Sequence, residues 1–253
     1  MADIENEICK RIIILINENI VEAQIAALEE IENLLNSKKY YIIEQLLNEN
    51  IISKLLAFLK YSNFEIQEKS LNILSTISTE NEFNQTQLIN LEILKSMPKL
   101  LSSSDVKIAQ KSAEFLSKIT VNSNEYIQAI FDADLIPFLI DLLYKDSPKA
   151  HKESASTLSN ITVNGTNEQC LKLVDLNIIP QFCNLVGGVD DETILAVLTA
   201  LKNILEKGGN RRYEICQGIE EFGGLRNIRL LKSSKNTTIW KLSYETEMFF
   251  NKC

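Results

Sequence analysis

Residues 153–162 read E-S-A-S-T-L-S-N-I-T, and the same pattern stands at 111–120 as K-S-A-E-F-L-S-K-I-T and at 69–78 as K-S-L-N-I-L-S-T-I-S. Ser70, Ser112 and Ser154 are spaced by 42 residues, as are Leu74, Leu116 and Leu158, and Ile77, Ile119 and Ile161. Further copies lie 43 residues outward on each side, A-A-L-E-E-I-E-N-L-L at 26–35 and A-V-L-T-A-L-K-N-I-L at 196–205. Ala155, Leu158 and Ile161 share one helical face. Asn160 sits among them in mid-helix, where its side chain competes for backbone hydrogen bonds, so its presence asks for a reason.

A second element repeats in phase. Leu135-Ile136-Pro137-Phe138-Leu139 matches Ile178-Ile179-Pro180-Gln181-Phe182, and Ile51-Ile52-Ser53 and Ile93-Leu94-Lys95 stand in the same column. Proline is tolerated in a helix's first turn because that N–H lacks an intrahelical partner. Each unit therefore reads as a short helix, a second starting near the proline column, and a longer third carrying the Ser-Ala-x-x-Leu-Ser-x-Ile pattern. A helical unit of this length cannot bury its apolar faces alone and must stack on its neighbours. The period falls in the HEAT/armadillo range. The predicted fold is all-α: a right-handed superhelical solenoid of about six three-helix repeats in one domain, 1–253, divided near 1–38, 39–80, 81–122, 123–165, 166–207 and 208–253. The last repeat departs in register. There Gly223-Gly224-Leu225 opens the second helix, and Trp240, Tyr244 and Phe249-Phe250 read as an aromatic cap over the final core.

Composition agrees. Of 253 residues 45% are apolar, and 8 Gly and 4 Pro leave little material for a turn-rich β fold. Gly187-Gly188 and Gly208-Gly209 read as helix stops. The net charge of −8 argues against nucleic acid as a partner and favours basic ones. No apolar run reaches the roughly 20 residues of a membrane span, and the acidic start MADIENEICK is unlike a secretory signal. Five cysteines without C-x-x-C spacing predict reduced thiols, with Cys170, Cys183 and Cys216 as small core residues, in the cytoplasm or nucleus. His151, the one histidine, reads as a surface residue near Pro148. Nucleotide-loop, G-x-S-x-G and H-E-x-x-H patterns are missing, so no enzyme, metal or cofactor is expected.

The stretch 153–169 resembles an armadillo repeat of importin-α, the adaptor for nuclear localisation signals. The likeness extends through 135–137, 178–180 and 201–205, to Y-E-I-C-Q-G-I-E-E-F-G-G-L-R-N-I-R-L-L (213–231) as a last repeat and 16–35 as a first. The resemblance implies a concave groove lined by third helices, in which one Asn per repeat bonds the backbone of an extended peptide and a Trp four residues earlier holds the stem of a cargo Lys. Here the Asn column holds Asn33, Thr76, Lys118, Asn160 and Asn203, and the Trp column Glu29, Asn72, Glu114, Ser156 and Thr199. The resemblance thus implies a peptide site of Asn160, Asn203, Asn33, Asn72, Ser156, Thr199, Glu153 and Glu114, without aromatic slots. Asn164 is placed in the loop after its helix, outside that site. Lys69 and Lys111 project near the groove and would repel a basic peptide, while Glu29, Glu114 and Glu153 would attract one. An amide that both donates and accepts suits a backbone of any sequence. The basic arm through which the family engages importin-β has no counterpart, so that coupling is not expected. Two functions follow: a localisation-signal or basic-peptide adaptor in nuclear import, or an armadillo scaffold that has lost signal binding and bridges folded partners.

Overall fold

In the computed structural model, residues 2–80, 93–121, 124–145, 147–188 and 190–250 are described, and all their regular structure is helical. The chain divides into two compact units, Met1–Lys118 and Ile119–Cys253. The first holds α1 (Ala2–Asn17), α2 (Val21–Asn36), α3 (Tyr40–Asn48), α4 (Ile51–Phe58), α5 (Phe64–Glu80), a 3-10 turn at Ile93–Ser96, α6 (Met97–Leu101) and most of α7 (Val106–Thr120). The second continues with α8 (Asn124–Asp132), α9 (Ile136–Leu142), α10 (Pro148–Asn164), α11 (Asn167–Asp175), α12 (Ile179–Leu185) and α13 (Asp191–Lys207). It ends with α14 (Arg212–Glu221), α15 (Gly224–Leu230) and α16 (Thr237–Glu247). The repeating pattern occupies the long helices α2, α5, α7, α10, α13 and α16. Within the first unit α2 packs on α5, and within the second α10 packs on α13 and α13 on α16. The first repeat has two helices, α1 and α2, where three were expected. The first helix expected of the third repeat falls at 81–92, outside the described residues.

Local sequence explains the helix ends. Pro98, Pro137 and Pro180 sit in the first turns of α6, α9 and α12. Side chains cap several starts: Ser147 accepts from the Ala150 amide, Asp190 from Glu192 and Thr193, and Asn236 from Thr238 and Ile239. Thr166 and Gln169 form a reciprocal capping box on α11. A left-handed residue precedes the second helix of four repeats: Asn50 (φ 61°), Asp134 (φ 51°), Asn177 (φ 62°) and Gly223 (φ 74°). Asn, Asp and Gly tolerate that conformation best. Gly223 lies 46 residues after Asn177, and the α16 cap Asn236 lies 46 after the α13 cap Asp190, which fixes the changed register of the last repeat. Gly187-Gly188 and Gly208 do follow helix ends, as read.

Each third helix buries one face. In α13 Val197, Leu198, Leu201, Ile204 and Leu205 are inaccessible, and full burial of such side chains contributes about 1.5–3 kcal/mol apiece. The Ser70, Ser112 and Ser154 column is buried too, small enough for close helix approach. Gly224 is there because a Cβ would stand 2.4 Å from Cys183 Sγ. Burial pushes the Cys170 thiol up to about 11 and Cys183 to about 12, so both are inert core groups as expected. Cys216 is buried but disulfide-bonded, which corrects the expectation of reduced thiols throughout. His151 is half-buried rather than superficial, with Nε2 against the Lys145 carbonyl oxygen, because α10 starts back over the preceding loop. The aromatic cap needs correction as well. The Trp240 and Tyr244 rings meet at a 59° tilt with centroids 5.0 Å apart but stay about half exposed, on a different side of α16 from its core residues Ile239, Ser243 and Thr246.

Candidate peptide-binding faces

In the first unit the candidate face runs over α2, α5 and α7. Lys69 Nζ lies 3.2 Å from Glu29 Oε1 and 3.5 Å from Glu32 Oε2, and Asn72 Nδ2 donates to Glu32 Oε1 at 3.2 Å. Glu114 accepts from Lys111 at 3.0 Å and from Lys118 at 2.9 Å, and Lys118 also donates to Ser75 Oγ at 3.0 Å. Burial pushes the Glu114 carboxyl up, but the hydrogen bonds from Lys118 and Lys111 outweigh it and hold the group below the usual glutamate range. Glu32, Asn72, Thr76, Lys111, Glu114 and Lys118 line a recess of about 310 Å³. Lys69 and Lys111 are therefore partnered rather than projecting as loose repulsive charges, and Glu114 is already engaged. Asn33 is exposed on α2, apart from this recess.

In the second unit the face runs over α10, α13 and α16, and the asparagines are not free-standing. Asn160 Nδ2 donates to Thr120 Oγ1 at 3.2 Å, and Asn203 Nδ2 to Thr162 Oγ1 at 3.3 Å. Four residues on, the tie repeats. Asn164 Nδ2 donates to the carbonyls of Thr120 (3.2 Å) and Val121 (2.7 Å). Lys207 Nζ donates to those of Thr162 (2.7 Å) and Gly165 (2.8 Å). These carbonyls end the preceding third helix, where orphan acceptors and the negative end of the helix dipole favour a donor or a cation. Asn164 is the last residue of α10 and does structural work, against the loop position expected of it. The stagger between neighbouring third helices brings each Asn to a residue about 40 positions earlier, a pairing that a column of identical residues does not reveal. A hint was present: Thr120 and Thr162 are themselves 42 apart, at the end of the same pattern.

Glu153, Ser156 and Thr199 are half-buried on the same helices, so all three lie on the face, although no flat aromatic slot exists at Ser156 or Thr199. Sequence reasoning missed the far end of this face. There Lys202 pairs with Glu245 at 2.7 Å, and Lys202, Glu245, Met248 and Phe249 line a recess of about 250 Å³. The Arg212 guanidinium lies 5.5 Å from the Phe249 ring centroid. Among the described residues no cluster of three His, Cys, Asp or Glu could hold a metal ion, and no helix is long and apolar enough to cross a membrane.

Comparison with known proteins places this geometry. A family model described as Armadillo/beta-catenin-like repeat matches residues 123–163. The fold is similar to that of a designed armadillo repeat protein, at 22% identity with TM-score 0.82, over 97% of this chain and 99% of that one. It is similar to another designed armadillo repeat protein, solved in complex with the peptide (KR)4, at 24% identity with TM-score 0.81, over 97% and 98%. A third similarity is to computationally designed armadillo repeat proteins for modular peptide recognition, at 22% identity with TM-score 0.82, over 96% and 98%. The chain has the armadillo-repeat fold.

Proposed function

We propose that the protein is a non-catalytic binding scaffold that holds an extended peptide along its third-helix faces. The observation that carries this reading is the row of polar side chains at one-repeat steps, fixed in orientation by bonds to the neighbouring repeat. Asn203 is the clearest case. Its bond to Thr162 uses one amide hydrogen, whereas an amide has two donors and an acceptor oxygen. A side chain already locked in one rotamer loses little further entropy when a ligand binds. One such group per third helix matches an extended chain, since helices stack about 8–10 Å apart and three extended residues span roughly 10 Å. That a designed relative in fold was solved with (KR)4 supports the peptide class.

The finer form of this reading is an importin-α-like adaptor for basic localisation signals, working between cytoplasm and nucleus. On the first unit's face a cargo Lys or Arg must displace Lys69, Lys111 or Lys118 from its carboxylate, and on the second unit's face Lys202, so affinity rests on charge exchange rather than on aromatic slots. A second reading, a scaffold joining folded partners, is favoured by the commitment of Asn160 and Asn203 to inter-repeat bonds. Calorimetric titration with (KR)4 and with a Gly-Ser peptide of equal length separates them. The adaptor predicts saturable binding of (KR)4 alone that weakens steeply as salt rises; heat indistinguishable from the Gly-Ser control would remove basic peptides as ligands and leave the scaffold.

A further inference from the structure

The two sides of the first unit's recess carry opposite excess charge. On the α2 side two carboxylates share one ammonium: Lys69 Nζ lies 3.2 Å from Glu29 Oε1 and 3.5 Å from Glu32 Oε2. On the α7 side two ammoniums share one carboxylate: Glu114 meets Lys111 through Oε2 at 3.0 Å and Lys118 through Oε1 at 2.9 Å. The neighbouring Lys107 and Glu68 pair one to one at 2.9 Å and leave that count unchanged. Glu32, Lys111 and Glu114 keep only 25%, 26% and 24% of their side-chain surface exposed, so salt screens them less than fully exposed charges.

Both sides reach α5, which lies between them. Glu32 accepts from Asn72 Nδ2 at 3.2 Å, and Lys118 donates to Ser75 Oγ at 3.0 Å. Asn72 and Thr76, one helical turn apart, line the recess between the two charged sides. Among the described residues no ion pair crosses from Glu32 to Lys111 or Lys118. The opposite charges are thus held apart, on either side of about 310 Å³ of space.

We propose that the first unit's face selects a mixed-charge peptide, with a Lys or Arg and an Asp or Glu three residues apart, over an all-basic one. This rests on the reading that an extended chain lies along the third helices. The basic side chain joins Glu29 and Glu32, and the acidic one joins Lys111 and Lys118. Three extended residues span roughly 10 Å, which suits charges set on the two sides of one helix in a stack spaced by about 8–10 Å. Between them the Asn72 amide, which gives one hydrogen to Glu32, has a second donor and an acceptor oxygen to offer the peptide backbone. A second basic residue in place of the acid would meet two ammoniums that share a single carboxylate, and like charges set together reject a partner.

The test is fluorescence anisotropy of the full chain with four labelled, end-blocked Gly-Ser peptides that differ only at two positions three residues apart. These positions carry Lys then Glu, Glu then Lys, two Lys, or two Glu. Salt at about 0.15 M screens the net charge of the chain beyond roughly 8 Å. Wild type is expected to bind the better mixed peptide at least about tenfold more tightly than either like-charged one. Lys118→Glu turns the α7 side into one ammonium and two carboxylates, so the order should reverse and the two-Lys peptide should bind best. The second unit's face is untouched by this substitution, so the reversal reports the first unit. Circular dichroism checks that helicity is kept; if it is not, Lys118→Gln, which balances the α7 side, should abolish the preference for the mixed peptide. A two-Lys peptide that binds wild type as tightly as the mixed ones overturns the proposal and leaves the peptide scaffold standing. A preference that survives both substitutions overturns it as well. Failure of all four peptides to bind removes the peptide reading itself, and this inference with it.

Discussion

Lys207→Met removes the cation at the end of α10 while keeping most of the side chain's length. Lys207 Nζ donates to the Thr162 and Gly165 carbonyls at 2.7 and 2.8 Å, and the side chain is only half exposed. Hydrogen bonds to a charged donor contribute about 1.5–3 kcal/mol, and a cation at a helix C-terminus about 0.3–1 kcal/mol, a share of the same interaction rather than an addition. Thr162 and Gly165 are both buried, so their carbonyls regain little water when the donor is lost, and the net cost is about 2 kcal/mol. For a chain of this size about 2–4 °C of melting temperature accompanies each kcal/mol, giving a fall of roughly 4–8 °C. Thermal unfolding followed by circular dichroism reads it, with Lys149→Met, an exposed lysine of the same unit, as control. Equal melting temperatures for the two variants would refute the view that these side chains tie one repeat to the next.

Asn203→Ala removes one neutral hydrogen bond but places a better helix former, so stability should change by less than about 1 kcal/mol. Peptide affinity, by contrast, should fall by about 0.5–1.5 kcal/mol in an anisotropy titration if the amide grips cargo. Glu114 has a folded-state pKa depressed by Lys118 and Lys111, so it contributes stability above its unfolded pKa and loses it as pH falls through the folded value. Glu114→Gln should accordingly lower stability near neutrality and flatten the acid side of the denaturation profile; an unchanged profile would mean that the Lys-Glu-Lys cluster is inert. Gly224→Ala drives a Cβ against Cys183 Sγ and Ile219 Cγ2, at 2.4 and 2.8 Å, and should cost about 1–3 kcal/mol by denaturant titration.

The fold was legible in the sequence because its determinants are periodic. Ser, Leu and Ile columns step by 42 or 43, and prolines mark second-helix starts. Column reading also puts Glu153, Ser156 and Thr199 on the same side of their helices as Asn160 and Asn203, at steps of four or seven residues. It cannot supply the stagger between helices, which decides what each side chain touches. Hence Asn160 looked like a free ligand and is tied to Thr120, and Lys69 looked repulsive and is neutralised by Glu29 and Glu32. The cap reading of Trp240 failed for a related reason: hydrophobicity shows that a residue seeks cover, not whether anything covers it. The changed register of the last repeat and its second-helix start at Gly223 were legible, but the size of the step, 46 residues, was not, because Gly223 replaces the Asn or Asp found at 50, 134 and 177.

The central claim is that an extended peptide lies along the third helices. Photo-crosslinking reads this directly, using (KR)4 with a benzophenone at alternate positions and mass-spectrometric location of the adducts. The account predicts adducts on the third helices within one unit, on α2, α5 and α7 near Asn72 and Glu114 or on α10, α13 and α16 near Asn160 and Asn203, moving by about one repeat as the label moves three residues. Adducts confined to the first and second helices, or indifferent to label position, would contradict it.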